Sequence, residues 1–327
     1  MTLVVTAFFS YIALRGINLG RAWHALRTSD YLWLIPALIA FGLATVVRAM
    51  RWRSLFAPGR RPPRRAVLNA TIIGYFYNSI LPARAGEAAR VVVLTRRSDT
   101  PPVEIVGTVV LERLYDVVTI LVIFFVAEPW LPHVSWFGTA ALAAIVLAGL
   151  IVAAAALLAV YGDRPLRLLL RPLRRFSLFS SARLDRTVDE LAYGLSGLRD
   201  VRIALEVFLW TVAAWMLSAL CAYFVGLSFH LHLPFACGVL VAVAIGLSMI
   251  LPSPPAAVGV FEGAALIALN AYGVPHSVAL SYALVLHAVN FIPFILAGVW
   301  LLQYNVRHPR RLGDSRSDTT APAPTTS

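Results

Sequence analysis

The sequence predicts an all-α polytopic membrane protein with about six full spans plus two proline-broken re-entrant helical hairpins, arranged as an inverted repeat. Three observations carry this. Of 327 residues, 59% are apolar and 13% charged, with a mean hydropathy of +0.77. Soluble domains carry charge on roughly a quarter of their positions, so this chain cannot cover a water-facing surface. Several apolar runs approach the roughly 20 residues that a helix needs to cross about 30 Å of hydrocarbon. The basic residues, all of them arginine, crowd between those runs.

Four segments have the length of a full span with margin: 31–50, 102–127, 137–161 and 203–226. A fifth, 277–303, closes the membrane part. Residues 2–14 are apolar but short, and read as a tilted first span or as an uncleaved signal-like anchor. A cleaved signal peptide is the weaker reading, because no basic segment precedes the run and no A-x-A site follows it.

The 28 basic residues exceed the 16 acidic ones and give a net charge of +12. Such an excess often marks a nucleic-acid binder, but the positions point to membrane topology and no nucleic-acid partner is expected. Arg48, Arg51, Arg53, Arg60, Arg61, Arg64 and Arg65 crowd one loop, nine arginines between Arg164 and Arg202 crowd another, and Arg307, Arg310, Arg311 and Arg316 follow the last span. By the positive-inside rule all three regions face the cytoplasm of a cell membrane. Arg15, Arg21 and Arg27 run against that map and are outnumbered. Arg48, Arg51 and Arg53 read as anchors among anionic headgroups. Residues 1–310 form the membrane domain, and 311–327 form a low-complexity, disordered cytoplasmic tail.

Two apolar segments do not span cleanly. Residues 66–94 break at Pro82 into pieces of roughly 24 and 17 Å as helices, the second too short to cross. Residues 235–271 repeat the plan. Each carries an Ile-Leu-Pro break, at Ile80-Leu81-Pro82 and Ile250-Leu251-Pro252, and then a glutamate followed by small residues, Glu87-Ala88-Ala89 and Glu262-Gly263-Ala264. Loop parity makes them enter from opposite faces, which is the sequence pointer to an inverted-repeat transporter with its site at the repeat interface. Ordinary spans kinked by proline and glycine are the alternative.

Charge also appears where lipid should be. Glu112, Arg113 and Asp116 stand near the middle of 102–127, where each charge costs about 2.5–3.5 kcal/mol on insertion scales, so they must face the bundle interior. Helical geometry puts them on one broad face, as it does Arg84, Glu87 and Arg90. They form either a substrate site or an ion-pair network that only ties helices together. A helix starting after Pro82 would present free N–H groups and a positive dipole end beside Arg84, an arrangement that attracts an anion such as phosphate. Glu262 suits either the opening turn of its half-helix or a substrate role. His287 and Asn290 read as interhelical hydrogen-bonding groups, Asn78 as a polar helix contact, and His230 and His232 as a poor metal pair. The lone cysteines, Cys221 and Cys237, support neither a disulfide framework nor a metal site, and no cofactor is expected.

The run Asn78-Ser79-Ile80-Leu81-Pro82-Ala83-Arg84-Ala85-Gly86-Glu87 with Arg90, then Glu112-Arg113 with Asp116, then Pro252 through Gly259 with Glu262, resembles the membrane region of the lysylphosphatidylglycerol synthase/flippase family. The resemblance covers nearly the whole chain. It implies an integral flippase-like domain that moves a charged lipid between leaflets, with members linked also to glycolipids and polyprenyl-phosphate-linked sugars. The expected partner is a membrane lipid, together with a separate lipid-modifying enzyme, because the aminoacyl-transferase domain of the full synthase has no counterpart here. On this reading Arg84 and Arg113 hold a lipid phosphate, and Glu87, Glu112, Asp116 and Glu262 balance them, one of them as a carrier of a coupling proton. A secondary transporter of a small soluble anion is the alternative. An enzyme is not expected, since no DDxxD, HExxH, GxSxG or P-loop pattern occurs.

Overall fold

The computed structural model describes residues 19–81, 84–98, 100–132, 200–249 and 254–307, with isolated residues between 142 and 153. The sequence's expectations for 2–14, for the span at 137–161, for most of the second basic loop, for Pro82 and Pro252 and for the tail lie outside these residues. Among the described residues the secondary structure is entirely helical, with no strand.

The helices are α1 (Leu19–Arg27), α2 (Leu34–Ser54), α3 (Arg64–Ile80), α4 (Ala85–Thr95), α5 (Pro102–Ala127), α6 (Val201–Ser228), α7 (Phe235–Ser248), α8 (Val260–Ala271) and α9 (His276–Arg307). With the 3₁₀ turn Tyr31–Trp33 that leads into α2, three segments among the described residues are long and apolar enough to cross a membrane: Tyr31–Ser54, Val201–Ser228 and His276–Tyr304. Helix α5 is comparably long at 26 residues but carries Glu104, Glu112, Arg113 and Asp116.

Helices α2 and α6 run antiparallel. At one end the Asp30 N–H donates to the Ser228 carbonyl across 2.8 Å. At the other the Ser54 hydroxyl donates to Glu206 across 2.5 Å. The seam is small-sided: Ala37, Ala40, Ala44 and Ala49 of α2 are buried, as are Thr211, Ala214, Ala219 and Ala222 of α6. Small residues let backbones approach closely where lipid supplies no hydrophobic drive between helices. The opposite face of α2 exposes Ile35, Leu38, Ile39, Leu43 and Val46, as a lipid-facing surface does.

Both broken segments fold back on themselves. Helices α3 and α4 pack together and cross at Gly74 and Gly86. A Cβ on Gly86 would stand 1.9 Å from the Gly74 carbonyl oxygen, so this crossing tolerates only glycine. The turn between them is held by Asn78, whose Oδ1 accepts the Gly86 N–H at 2.8 Å, and by Arg84 at the N-cap of α4 in the left-handed region, φ 58°. In the second segment α7 and α8 pack together, and α8 is entered through the 3₁₀ turn Pro255–Ala257 with Ala256 and Ala257 also at φ 55°. That turn packs against α3, so the two broken segments touch.

Candidate functional site

The charges of α5 organise the site. Glu112, only 1% exposed, accepts from Arg51 Nη2 at 2.7 Å, from Arg113 Nη2 at 3.0 Å and from Arg90. Asp116 accepts from Arg51, lies 3.5 Å from Arg113 Nη1 and receives the Trp215 indole N–H at 3.3 Å. Glu87 pairs with Arg90 Nε at 3.2 Å and lies 3.8 Å from Arg113. Three carboxylates and three guanidiniums from α2, α4 and α5 thus interlock, which is how charge survives away from water. The Arg90 guanidinium also lies 4.3 Å from the ring centre of Trp52, whose N–H donates to Thr108 at 3.0 Å.

A cavity of about 440 Å³ opens over this network. Its lining combines Arg48, Arg51, Arg84, Glu87, Arg113 and Asp116 with Phe41, Trp215, Ile245, Met249, Phe291 and Phe294. The two broken segments both contribute, Asn78 and Arg84 from the first and Pro254, Ala256 and Ala257 from the second. The Arg113 side chain is 41% exposed, so it reaches the cavity while braced from behind by carboxylates. No carboxylate lies within ion-pairing distance of Arg84 among the described residues. Arg48 donates to the Ser218 hydroxyl at 2.6 Å and sits 5.8 Å from the Trp215 ring centre.

Of the residues that the sequence singles out, Arg84, Glu87, Arg113 and Asp116 line this cavity. Arg90 and Glu112 lie buried beneath it. Glu262 stands apart from the lining: its Oε2 accepts the Gly259 N–H at 2.7 Å and its Oε1 lies 2.5 Å from His287 Nδ1, so it caps α8 and ties it to α9. Asn290 does line the cavity, its amide donating to the Leu286 carbonyl at 2.8 Å. His230 Nε2 lies 3.1 Å from the Thr28 carbonyl oxygen, beside a separate cavity of about 520 Å³ that also carries His24 but, among the described residues, no guanidinium or carboxylate.

Arg48 and Arg51 depart from the sequence expectation. They are not headgroup anchors: α2 continues to Ser54, which leaves Arg51 inside its last turn, 1% exposed. The signal was present in the spacing. Ala37, Phe41, Ala44, Arg48 and Arg51 fall on one helical stripe, the same stripe that packs inward, whereas Arg53 turns away to donate to the Pro62 carbonyl at 2.8 Å.

Residues 1–298 match the lysylphosphatidylglycerol synthase TM region. The chain belongs to that family. A relative, a UPF0104 membrane protein of Methanocaldococcus jannaschii, is 24% identical over 223 residues, which span 68% of this chain and 91% of the relative. As a lysylphosphatidylglycerol synthase TM region protein the chain is a membrane protein, and the mixed wall of its cavity is in keeping with a role connected to membrane lipids.

Proposed function

We propose that this protein is a flippase, moving a phosphate-bearing lipid between the leaflets of the cell membrane. One observation carries the reading: the two broken segments meet at a single cavity lined by guanidiniums together with aromatic and aliphatic side chains. An ionic headgroup fits the guanidiniums. The aromatic and aliphatic side chains of the lining give the apolar part of an amphiphile somewhere to lie, which a small soluble anion does not require, so the lipid reading is favoured over transport of such an anion. Arg84 and Arg113 hold the phosphate, since guanidinium forks match its oxygens bidentately, and Glu87, Glu112 and Asp116 hold Arg113 in position.

In this reading about six helices span the bilayer and the α3–α4 and α7–α8 pairs are re-entrant hairpins of an inverted repeat. The basic loops and the C-terminal tail face the cytoplasm. The protein performs no covalent chemistry on its cargo, which a separate lipid-modifying enzyme supplies.

The test is headgroup translocation of fluorescent phosphate lipids in proteoliposomes, read by quenching of the outer leaflet. The parent should move label faster than empty vesicles, and folded Arg84→Ala and Arg113→Ala variants should be slower by roughly tenfold or more, one lost charge-assisted contact each. Variants as fast as the parent overturn the site assignment, and a parent no faster than empty vesicles overturns the function.

A further inference from the structure

Among the described residues, the charges around the cavity do not cancel. Arg51, Arg90 and Arg113 are each held by at least one of Glu87, Glu112 and Asp116, and the charges of these six sum to zero. Two guanidiniums of the lining are left over. Arg84 has no carboxylate within ion-pairing distance among the described residues, and the hydrogen-bonding partner of Arg48 is the neutral hydroxyl of Ser218. Both are half-buried, in a cavity whose lining is in large part aromatic and aliphatic. Uncompensated cations are costly in such surroundings, and a ligand that brings two negative charges removes the imbalance.

We propose that the cavity selects a dianionic phosphate headgroup, a terminal phosphomonoester or a pyrophosphate carried on an apolar tail. This rests on the lipid reading above and narrows it. A phosphodiester headgroup such as that of phosphatidylglycerol brings one charge and leaves one guanidinium unanswered. A lysine-esterified phosphatidylglycerol carries net positive charge and adds to the excess. The tail has its own place: Tyr75 and Phe41 pack on Phe294 with ring centres 4.5 and 5.0 Å apart, which gives an apolar surface beside the phosphate site.

Affinities of the purified full chain, in neutral detergent at pH 8, decide the matter. The probes are phosphatidic acid, phosphatidylglycerol and lysyl-phosphatidylglycerol with identical acyl chains, and inorganic phosphate. A phosphomonoester with its second pKa at about 6 is a dianion at this pH. Phosphatidic acid should bind roughly tenfold or more tighter than phosphatidylglycerol, the lysyl ester weakest, and the advantage should shrink on lowering the pH to 5 as the second charge is lost. Arg48→Gln and Arg84→Gln should each reduce phosphatidic acid to the affinity of phosphatidylglycerol. Arg84→Lys, which retains the charge, should preserve the difference, as should Arg64→Gln at the exposed start of α3.

Equal affinities for phosphatidic acid and phosphatidylglycerol, or a difference that survives both glutamine variants, overturn the dianion proposal. If both lipids are still translocated, flippase function stands without it. If instead inorganic phosphate binds as tightly as phosphatidic acid, with the same dependence on Arg48 and Arg84, and no lipid is translocated, then dianion recognition stands and the lipid reading falls.

Discussion

Glu112→Gln is the most informative single change, because this carboxylate touches three guanidiniums and the substitution removes charge with almost no change of shape. Arg51 retains Asp116, and Arg113 retains Asp116 and Glu87. Arg90 keeps only Glu87 at 3.2 Å, with its side chain 4% exposed. Removing one partner of a buried pair costs about 3–5 kcal/mol, mainly for the charge left behind. Glutamine still offers one acceptor oxygen, so a loss near about 3 kcal/mol is expected. The assay is unfolding in detergent followed by tryptophan fluorescence, with Arg90→Met and the double variant measured alongside. Deleting both charges should recover roughly 1–3 kcal/mol relative to the sum of the single losses, the range for residues in direct contact. The reasoning is refuted if Glu112→Gln unfolds within about 1 kcal/mol of the parent, or if the two losses simply add.

Gly86→Ala places a methyl group against the Gly74 carbonyl; it should destabilise by about 3 kcal/mol or fail to fold, seen as loss of the monodisperse peak in gel filtration. Glu262→Ala should cost about 1–2 kcal/mol through the lost cap of α8, and Glu262→Gln, which can still accept the Gly259 N–H, should cost less in the same unfolding assay. Cys221 and Cys237, 1% and 5% exposed, should resist maleimide in the native protein and react fully in denaturant; rapid native labelling of either would contradict the packing of α6 and α7.

The sequence made some of this geometry readable. Period and length located α5 residue for residue, because Pro101-Pro102 opens it and the apolar run fills it. The face shared by Glu112, Arg113 and Asp116 follows from helical periodicity alone, and so does their need for interior partners. The identity of the partners does not. Arg51 and Glu112 are 61 residues apart, a distance that local pattern does not bridge, and Arg51 sits just beyond an apolar run where arginine ordinarily meets headgroups. Arg84 and Arg90 share a helix face in sequence, yet Arg90 turns down to Glu112 while Arg84 stays on the cavity wall. Glu262 reads equally well as a cap or a ligand until His287 is found beside it.

The backbone of Arg84 carries a practical consequence. A side chain other than glycine in the left-handed region costs roughly 1–2 kcal/mol, so Arg84→Gly should raise the unfolding midpoint even as it empties the cavity wall of one cation. Selection for heat tolerance alone would therefore tend to discard this arginine, and a thermostabilised variant chosen for structural work should be checked at position 84 before its transport behaviour is interpreted.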